Sequence, residues 1–407
     1  MFNKLIVSRA RLPLTIVVWL GLIACVLAIA ASKEGQWDFR VFYFAIHGLL
    51  GGANPYLPIH AYADKPDTLT FIYPPLTLYS FQWVSLLTLH SALLAWLGLK
   101  LVALGLLAWL WHRNFERLDV SWPVALFIAL GFNAALFRDF SSGNVSTFEE
   151  LGIWLGFTLL LRDRPYAAAV VLACVAQFKL LPAAFICLIP LVRPHDGWKP
   201  FLLGSALFLG LFALNPVLNP PLTHDYLEVL SNTNSSLDER GSENPSSLAL
   251  LRDVMHLGAN VPGLADNRTT GTLVYAAFLL ALLVVLARVI WSERQKFRNA
   301  DPKLLLYFGC ALFAVVMPRM KDYTYILLLM PTLFVLRDIG KRSMVPDYLL
   351  LAVGLMICAQ SPQTYVPRLV SLVYLLQSYL PLFIAAAVLA YVLRAILQPP
   401  PAVEAYS

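Results

Sequence analysis

The stretch from residue 271 to residue 291, GTLVYAAFLLALLVVLARVIW, decides the fold class of this chain. Arg288 is its one charged side chain, and the run matches the roughly 20 apolar residues that a helix needs to cross a hydrocarbon core of about 30 Å. Runs of similar character recur from Leu12 to Leu393. Lipid offers no hydrogen-bond partner to exposed backbone groups, so these runs must be helical. The repetition predicts an all-α polytopic membrane protein.

The composition agrees with this prediction. Of the 407 residues, 59% are hydrophobic and 13% are charged, and the mean hydropathy is +0.69, whereas soluble domains have roughly 25% charged residues. The net charge is +6, but the basic residues form short clusters between apolar runs, so we predict no nucleic-acid partner. The five cysteines lie in apolar runs without paired spacing, which excludes a disulfide framework and a cysteine metal site.

The basic clusters predict the topology, because Lys and Arg concentrate on the cytoplasmic side of a membrane. They lie at 4–11, 193–199, 294–303, 337–342 and 394. Both termini are therefore predicted to be cytoplasmic, in a bacterial inner membrane, with the first span acting as an uncleaved signal anchor. The polar segments 33–72 and 219–270 become long periplasmic loops of a single integral membrane domain, 1–407.

The apolar block 73–111 leaves two arrangements open. If it is a hairpin that turns at His90, Arg113 lies outside and 166–192 forms one long span containing Lys179. If it is one bent span, Arg113 lies inside and 166–192 forms two half-length helices that meet at Lys179. Both arrangements give about twelve spans. The last predicted spans cover about 304–317, 323–336, 346–360 and 369–392.

The first outer loop begins with an amphipathic pattern. At about 100° per residue, one face collects apolar side chains, which predicts a helix lying in the membrane interface. The residues of this face are Phe39, Phe42, Tyr43, Ile46 and Leu50. Asp38 falls in the first turn. Its carboxylate can cap the helix, or, when partly desolvated, it can take a proton from a substrate hydroxyl.

Lys179 lies deep in an apolar stretch, where an unpaired charge costs at least about 2.5 to 3.5 kcal/mol. It can snorkel, form an internal ion pair or hold a lipid phosphate. A second polar group, Arg319, Lys321, Asp322 and Tyr323, crowds one turn between two short predicted spans. This arrangement predicts a cavity that reaches into the membrane.

The cations of this turn have two interpretations. They can bind lipid headgroups at a solvated turn, or they can stabilise a phosphodiester as it leaves. Weaker candidates of the same kind are Arg138, Asp139 and Arg252. The histidines and carboxylates show no ligand spacing, so we predict neither a metal nor a cofactor.

Several short motifs follow one another along these apolar runs. They are Trp37-Asp-Phe-Arg with Tyr43, Asn54-Pro-Tyr, Tyr73-Pro-Pro, Gly143-Asn-Val, Lys179-Leu-Leu-Pro182, Asn244-Pro-Ser-Ser-Leu248 and Pro318-Arg-Met-Lys-Asp-Tyr323. This ordered set resembles glycosyltransferase family 87, a GT-C group of transferases that use polyprenyl-phosphate sugars. The resemblance covers about residues 30 to 335. The family's usual Gly-Gln-Val-Asn is Gly143-Asn-Val-Ser146 here, so no role is assigned to Asn144.

The resemblance implies a GT-C-like bundle and a function. Asp38 would be the general base that activates an acceptor hydroxyl, and substrate-binding roles fall to Arg40, Tyr73, Lys179, Arg319, Lys321, Asp322 and Tyr323. The donor would be a polyprenyl phosphate carrying a hexose, mannose in the first instance, or a pentose. The acceptor would be a lipid or a glycan, and membrane lipids would surround the chain.

Two other functions remain in view. A polytopic transporter or lipid flippase would show intramembrane charged pairs, broken helices in corresponding halves and few residues in outer loops. A non-catalytic partner in an envelope-polymer complex would have a pocket in which Asp38 and the basic turn do not approach each other.

Overall fold

The computed structural model describes residues 2–60, 69–118, 122–235, 241–257, 268–343 and 375–398. Within these ranges every regular element is helical, and Ile59 and Leu69 form an isolated antiparallel bridge. Six described helices are long and apolar enough to cross a membrane: Leu89–Asn114, Trp122–Ser142, Trp198–Leu218, Thr269–Ser292, Asp322–Gly340 and Leu380–Leu397. The prediction of an all-helical membrane protein is confirmed. The span predicted at 346–360 lies outside the described residues.

The helices follow one another with short connections. The first half contains α1 Phe2–Ala31, α2 Trp37–Leu50, α3 Pro75–Ser80, α4 Leu89–Asn114, α5 Trp122–Ser142, α6 Ser146–Leu161, α7 Pro165–Val175 and α8 Leu188–Val192. The second half contains α9 Trp198–Leu218, α10 Pro220–Ser235, α11 Ser247–Leu257, α12 Arg268–Ser292, α13 Arg294–Asn299, α14 Pro302–Val316, α15 Leu329–Ser343 and α16 Leu380–Leu397. Short 3₁₀ helices precede α4, α8, α11 and α15.

The region 73–111 adopts the second of the two predicted arrangements. Two short helical pieces, α3 and a 3₁₀ helix over Gln82–Leu86, lead into the single long α4. Further along, α7 ends at Val175 and a 3₁₀ helix begins at Leu181, so Lys179 lies where two short helices meet. The proline at the second residue of this 3₁₀ helix has no N–H to lose there, which favours a new start.

Contacts among charged side chains gather several helix ends at one end of the molecule. Arg162 at the end of α6 donates a hydrogen bond to Asn114 Oδ1 at 3.0 Å, and Arg193 pairs with Asp163. Arg337 in α15 donates to the Arg117 carbonyl at 2.6 Å. The ends of α4, α6, α8 and α15 therefore lie together. Two clusters that were predicted to be cytoplasmic, around Arg193 and Arg337, share this end.

An aromatic cluster holds α2 against the body of the protein. Phe39 stacks on Trp96 of α4 with ring centroids 4.6 Å apart, and Phe42 contacts Phe71 and Tyr73 at 5.2 and 4.5 Å. The predicted helix is present, and its predicted apolar face is buried apart from Leu50. The face packs on the protein's own aromatic residues, and this packing fixes the position of the first turn, where Asp38 lies.

Candidate active site

Asp38 does not cap α2. The residue at the cap position is Gln36, whose backbone is left-handed with φ 58° and whose N–H donates to the Ser141 carbonyl at 2.7 Å. Asp38 lies two residues further on, half-buried, and its Oδ2 accepts a hydrogen bond from Asn144 Nδ2 at 2.8 Å. The cap interpretation is therefore wrong, and the carboxylate is held by a different part of the chain.

A glycine makes this approach possible. Gly143, in the turn between α5 and α6, has φ +71°, a conformation that costs residues with a Cβ about 1–2 kcal/mol. A Cβ at this position would lie 2.9 Å from Gln36 Cβ and 3.0 Å from Phe39 Cβ. Any larger residue would therefore push the turn away from α2 and carry Asn144 away from Asp38.

Asn144 is the residue that sequence reasoning missed. Its Nδ2 donates both to Asp38 and, at 3.3 Å, to the hydroxyl oxygen of Tyr73. Its Oδ1 accepts from the backbone N–H and the hydroxyl of Ser146 at 3.1 and 2.9 Å. Both ends of the amide are engaged, so its orientation is fixed. The Gly-Asn-Val motif was the available signal, and only the fold shows what the amide contacts.

Lys179 forms the internal ion pair that was one of its predicted roles. Its Nζ lies 2.7 Å from Glu149 Oε2 and donates to Ser146 Oγ at 2.7 Å. The ammonium also lies 5.3 Å from the centroid of the Tyr323 ring. The side chain remains 21% exposed, so a ligand can still reach it. Ser146 thus connects Lys179 to Asn144, and through it to Asp38.

The Asn244-Pro-Ser-Ser motif holds the basic turn in place. Asn244 Oδ1 accepts the Met320 N–H at 2.9 Å, and Ser246 Oγ donates to the Pro318 carbonyl at 2.7 Å. Tyr325 closes the contact by donating to the Pro245 carbonyl at 2.6 Å. The motif therefore has a structural role, which is to fix the turn that carries Arg319 and Lys321.

Other predicted site residues are engaged with neighbouring groups. Arg138 at the end of α5 pairs with Asp322 at 2.6 Å, and Asp322 also accepts the Tyr323 N–H at 2.8 Å. Arg40 donates to the Gly35 and Lys33 carbonyls at 3.1 and 2.8 Å, so its guanidinium braces the connection between α1 and α2. The predicted substrate-binding roles of Arg40 and Asp322 remain predictions.

The charges around Asp38 oppose each other. Burial raises the pKa of Asp38 above its usual range, while the hydrogen bond from Asn144 and the positive charges of Lys321, Lys179 and Lys100 lower it. A base gains proton affinity from the first effect and stays ionised because of the others. Burial, then the negative charge of Asp38, raises the pKa of Tyr73 well above its ordinary value. Tyr73 is therefore a neutral phenol that can donate a hydrogen bond.

One exposed group has the spacing of metal ligands. His224, Asp225 and Glu228 in α10 offer ligand atoms within 4.8 Å of one another among the described residues. Asp225 already accepts a hydrogen bond from Asn54 at 2.9 Å. Exposed acidic groups of this kind are common, so the group carries no metal assignment.

The sequence profile of glycosyltransferase family 87 matches residues 71–318. This range is more than half of the 407 residues. The chain belongs to glycosyltransferase family 87. No curated protein matches it in sequence. The predicted resemblance is confirmed, and membership in this glycosyltransferase family indicates a membrane glycosyltransferase.

The family match contains only part of the site. Tyr73, Asn144 and Lys179 lie within residues 71–318, whereas Asp38 precedes this range and Lys321 follows it. The fold closes these distances in sequence, because Asp38 bonds directly to Asn144 and the charge of Lys321 acts on Asp38. The predicted Asp38, Tyr73, Lys179, Lys321 and Tyr323 therefore belong to one site in this member of family 87.

Proposed function

We propose that this family 87 member transfers a sugar from a polyprenyl phosphate donor to a lipid or glycan acceptor at the outer face of the cytoplasmic membrane. One observation carries the proposal: Asp38 is held by Asn144 where the positive charges of Lys179 and Lys321 reach it. A carboxylate base beside cations is the arrangement that the transfer of a sugar from a phosphate requires.

Asp38 would act on the acceptor. Its carboxylate takes the proton of the attacking hydroxyl as the acceptor oxygen bonds to the anomeric carbon. The bond between that carbon and the phosphate oxygen breaks, and its electron pair leaves on the phosphate. Attack from the side opposite the leaving group inverts the anomeric configuration, through an oxocarbenium-like state as in inverting glycoside chemistry.

The cations would act on the donor. Lys179, Lys321 and Arg319 can hold the phosphate and stabilise the charge that builds on its leaving oxygen. Glu149 and Ser146 fix Lys179 before the donor arrives, so little reorganisation is needed. A lipid phosphate is a fair leaving group at physiological pH, which is why we predict that no metal is required.

The finer predictions belong to this proposal. The sugar is a hexose, mannose in the first instance, or a pentose, and the donor tail lies between spans. We also propose the GT-C-like bundle of about twelve spans, with α2 in the membrane interface. The basic end of the molecule faces the cytoplasm together with both termini. Support for this orientation comes from Arg193 and Arg337, which share the end opposite to the loops that carry Asp38.

A transporter shares some of these features. The ion pairs of Lys100 with Asp139 and of Lys179 with Glu149 are intramembrane charged pairs of the kind a transporter uses. Membership in a glycosyltransferase family favours catalysis over transport. The action of the Lys321 charge on Asp38 argues against a non-catalytic assembly partner, in which these groups would not meet.

The test uses the full-length protein in proteoliposomes with a panel of polyprenyl-phosphate sugars and extracted cell lipids and glycans. We expect transfer from at least one donor by the wild-type protein and none by Asp38→Asn. A wild-type protein that transfers no sugar, but moves the lipid-linked sugar across the bilayer, would establish the flippase instead.

A separate experiment tests the orientation. Single cysteines are labelled in intact cells with an impermeant reagent. We expect labelling at the outer positions 38, 244 and 319 and none at 193, 294 and 337. Labelling that mixes the two groups would mean that the parts of the proposed site face different compartments.

A further inference from the structure

Two polar side chains of α4 contact the turn that carries Asn144. Trp96 Nε1 donates a hydrogen bond to the Gly143 carbonyl at 2.8 Å, and Lys100 Nζ donates to the Asn144 carbonyl at 2.7 Å. Residues four apart are neighbours on one face of a helix, separated by about one turn. α4 therefore holds two consecutive carbonyl groups of this turn from one side.

Lys100 is also the centre of a fully buried ion pair. Its Nζ lies 2.7 Å from Asp139 Oδ2 and donates to the Asp139 carbonyl at 2.6 Å, and neither side chain is exposed. The ammonium has three N–H donors, and two carbonyls and a carboxylate engage all of them. Thr147 at the start of α6 donates to the same carboxylate oxygen at 2.5 Å. One buried cation thus connects the end of α5 to the start of α6.

A buried ion pair is weak evidence for stability, because desolvation of the two charges offsets their attraction. The position of its hydrogen bonds is more informative. Lys100 fixes the main chain of Asn144, and the side chain of the same residue donates to Asp38 and Tyr73. Holding the carbonyl restricts the backbone from which that amide projects. Neither Lys100 nor Trp96 is needed to explain the chemistry at Asp38 directly.

We propose that Lys100 and Trp96 are positioning residues, which hold the Gly143–Asn144 turn so that the Asn144 amide is directed at Asp38. The inference rests on the proposed function, in which Asp38 is the base. Both residues act through Asn144. Their loss should lower the rate of transfer more than the binding of donor or acceptor, because a misdirected base fails in the transition state.

The decisive variant is Lys100→Met combined with Asp139→Asn, in the full-length protein in proteoliposomes. It removes both charges together, so neither remains buried and unpaired. We expect a thermal midpoint close to that of the wild type, kcat lowered by about 10²-fold, and KM for donor and acceptor changed less than about threefold. A kcat within about threefold of the wild-type value would overturn the proposal.

A matched control lies at the other end of α6. Arg193→Met with Asp163→Asn neutralises the ion pair between the ends of α6 and α8, and we expect wild-type kcat. An equal loss of kcat in this control would mean that any neutralised pair loosens the protein, which contradicts positioning. Trp96→Phe tests the second donor without a change of charge, and so it decides the question even if the double variant does not fold. It should lower kcat by about 3- to 10-fold, and an unchanged kcat would refute the proposed role of the turn contacts.

An infrared titration of the Asp38 carboxyl needs no donor, and it separates this inference from the proposed function. The band is identified by its absence in Asp38→Asn. Lys100, Lys179, Lys321, Asn144 and Tyr73 act on this carboxyl. Loss of the Lys100 charge and of a directed Asn144 should raise the midpoint in Lys100→Met/Asp139→Asn. An unchanged midpoint refutes positioning, whereas a raised midpoint in a protein that transfers no sugar refutes only the proposed function.

Discussion

Replacing Asn144 by alanine tests the centre of the proposed site. The change removes the 2.8 Å hydrogen bond to Asp38 and the 3.3 Å hydrogen bond to Tyr73. Hydrogen bonds to charged groups contribute about 1.5–3 kcal/mol each. Asp38 is half-buried rather than sealed, so we take the lower part of this range. Since about 1.4 kcal/mol corresponds to one pH unit or a factor of ten, the structure predicts one of each.

The sign of the pH effect follows from the direction of the hydrogen bond. Asn144 stabilises the ionised carboxylate and lowers the pKa of Asp38. Its removal raises that pKa, and the base must be ionised to act. The acid limb of the pH profile of kcat should therefore move about one unit to higher pH. At the pH optimum kcat should fall about 10-fold, because the carboxylate also loses its orientation.

The assay is steady-state transfer at a saturating donor concentration from acid to neutral pH, with Asn144→Gln as the matched variant. Glutamine keeps the amide donor and is the residue found in the family motif, so it should recover a large part of the rate. An Asn144→Ala protein with a wild-type acid limb and kcat would refute the reasoning. It would also mean that Asp38 is not the titrating base.

Three further predictions concern the charged groups. Asp38→Asn should insert and fold, yet retain less than a few per cent of the wild-type rate, as measured on purified protein. Arg319→Ala should lower donor kcat/KM by about 10²-fold, and Lys321→Ala by less, with acceptor KM unchanged. A weaker acceptor instead would place the basic turn at the acceptor. Finally, the acid limb of kcat should lie at higher pH than that of kcat/KM, because bound phosphate neutralises Lys179 and Lys321 and raises the pKa of Asp38. Coincident limbs would contradict this.

Local pattern accounts for what could be predicted from the sequence about the fold. The length and hydropathy of each run predicted helices and a membrane, because the bilayer imposes both on a single segment. The basic residues after α4 favoured the bent arrangement of 73–111, and the structure has it. The periodicity at Trp37–Leu50 predicted α2 but attributed its apolar face to lipid, whereas Phe39 and Phe42 pack on aromatic rings from distant segments.

The site itself was predicted only in part. Motif order and the family resemblance brought Asp38, Tyr73 and Lys179 forward, since unusual polar residues stand out in apolar surroundings. Glu149 was missed because an acidic residue in the first turn of a helix is ordinary in sequence. Asp38 and Asn144 are 106 residues apart and Lys100 and Asn144 are 44 apart, so no spacing rule connects them.

The sequence by itself determined that the chain is helical, lies in a membrane and belongs to a glycosyltransferase family, because each of these follows from local hydropathy or from short motifs. The tertiary structure alone decided which polar groups meet. Gly143 lets the turn approach α2, Lys100 holds the turn, and Asn144 then reaches Asp38. Hydrogen bonds require contact within about 3 Å, and only the packing of helices far apart in the chain brings these atoms that close.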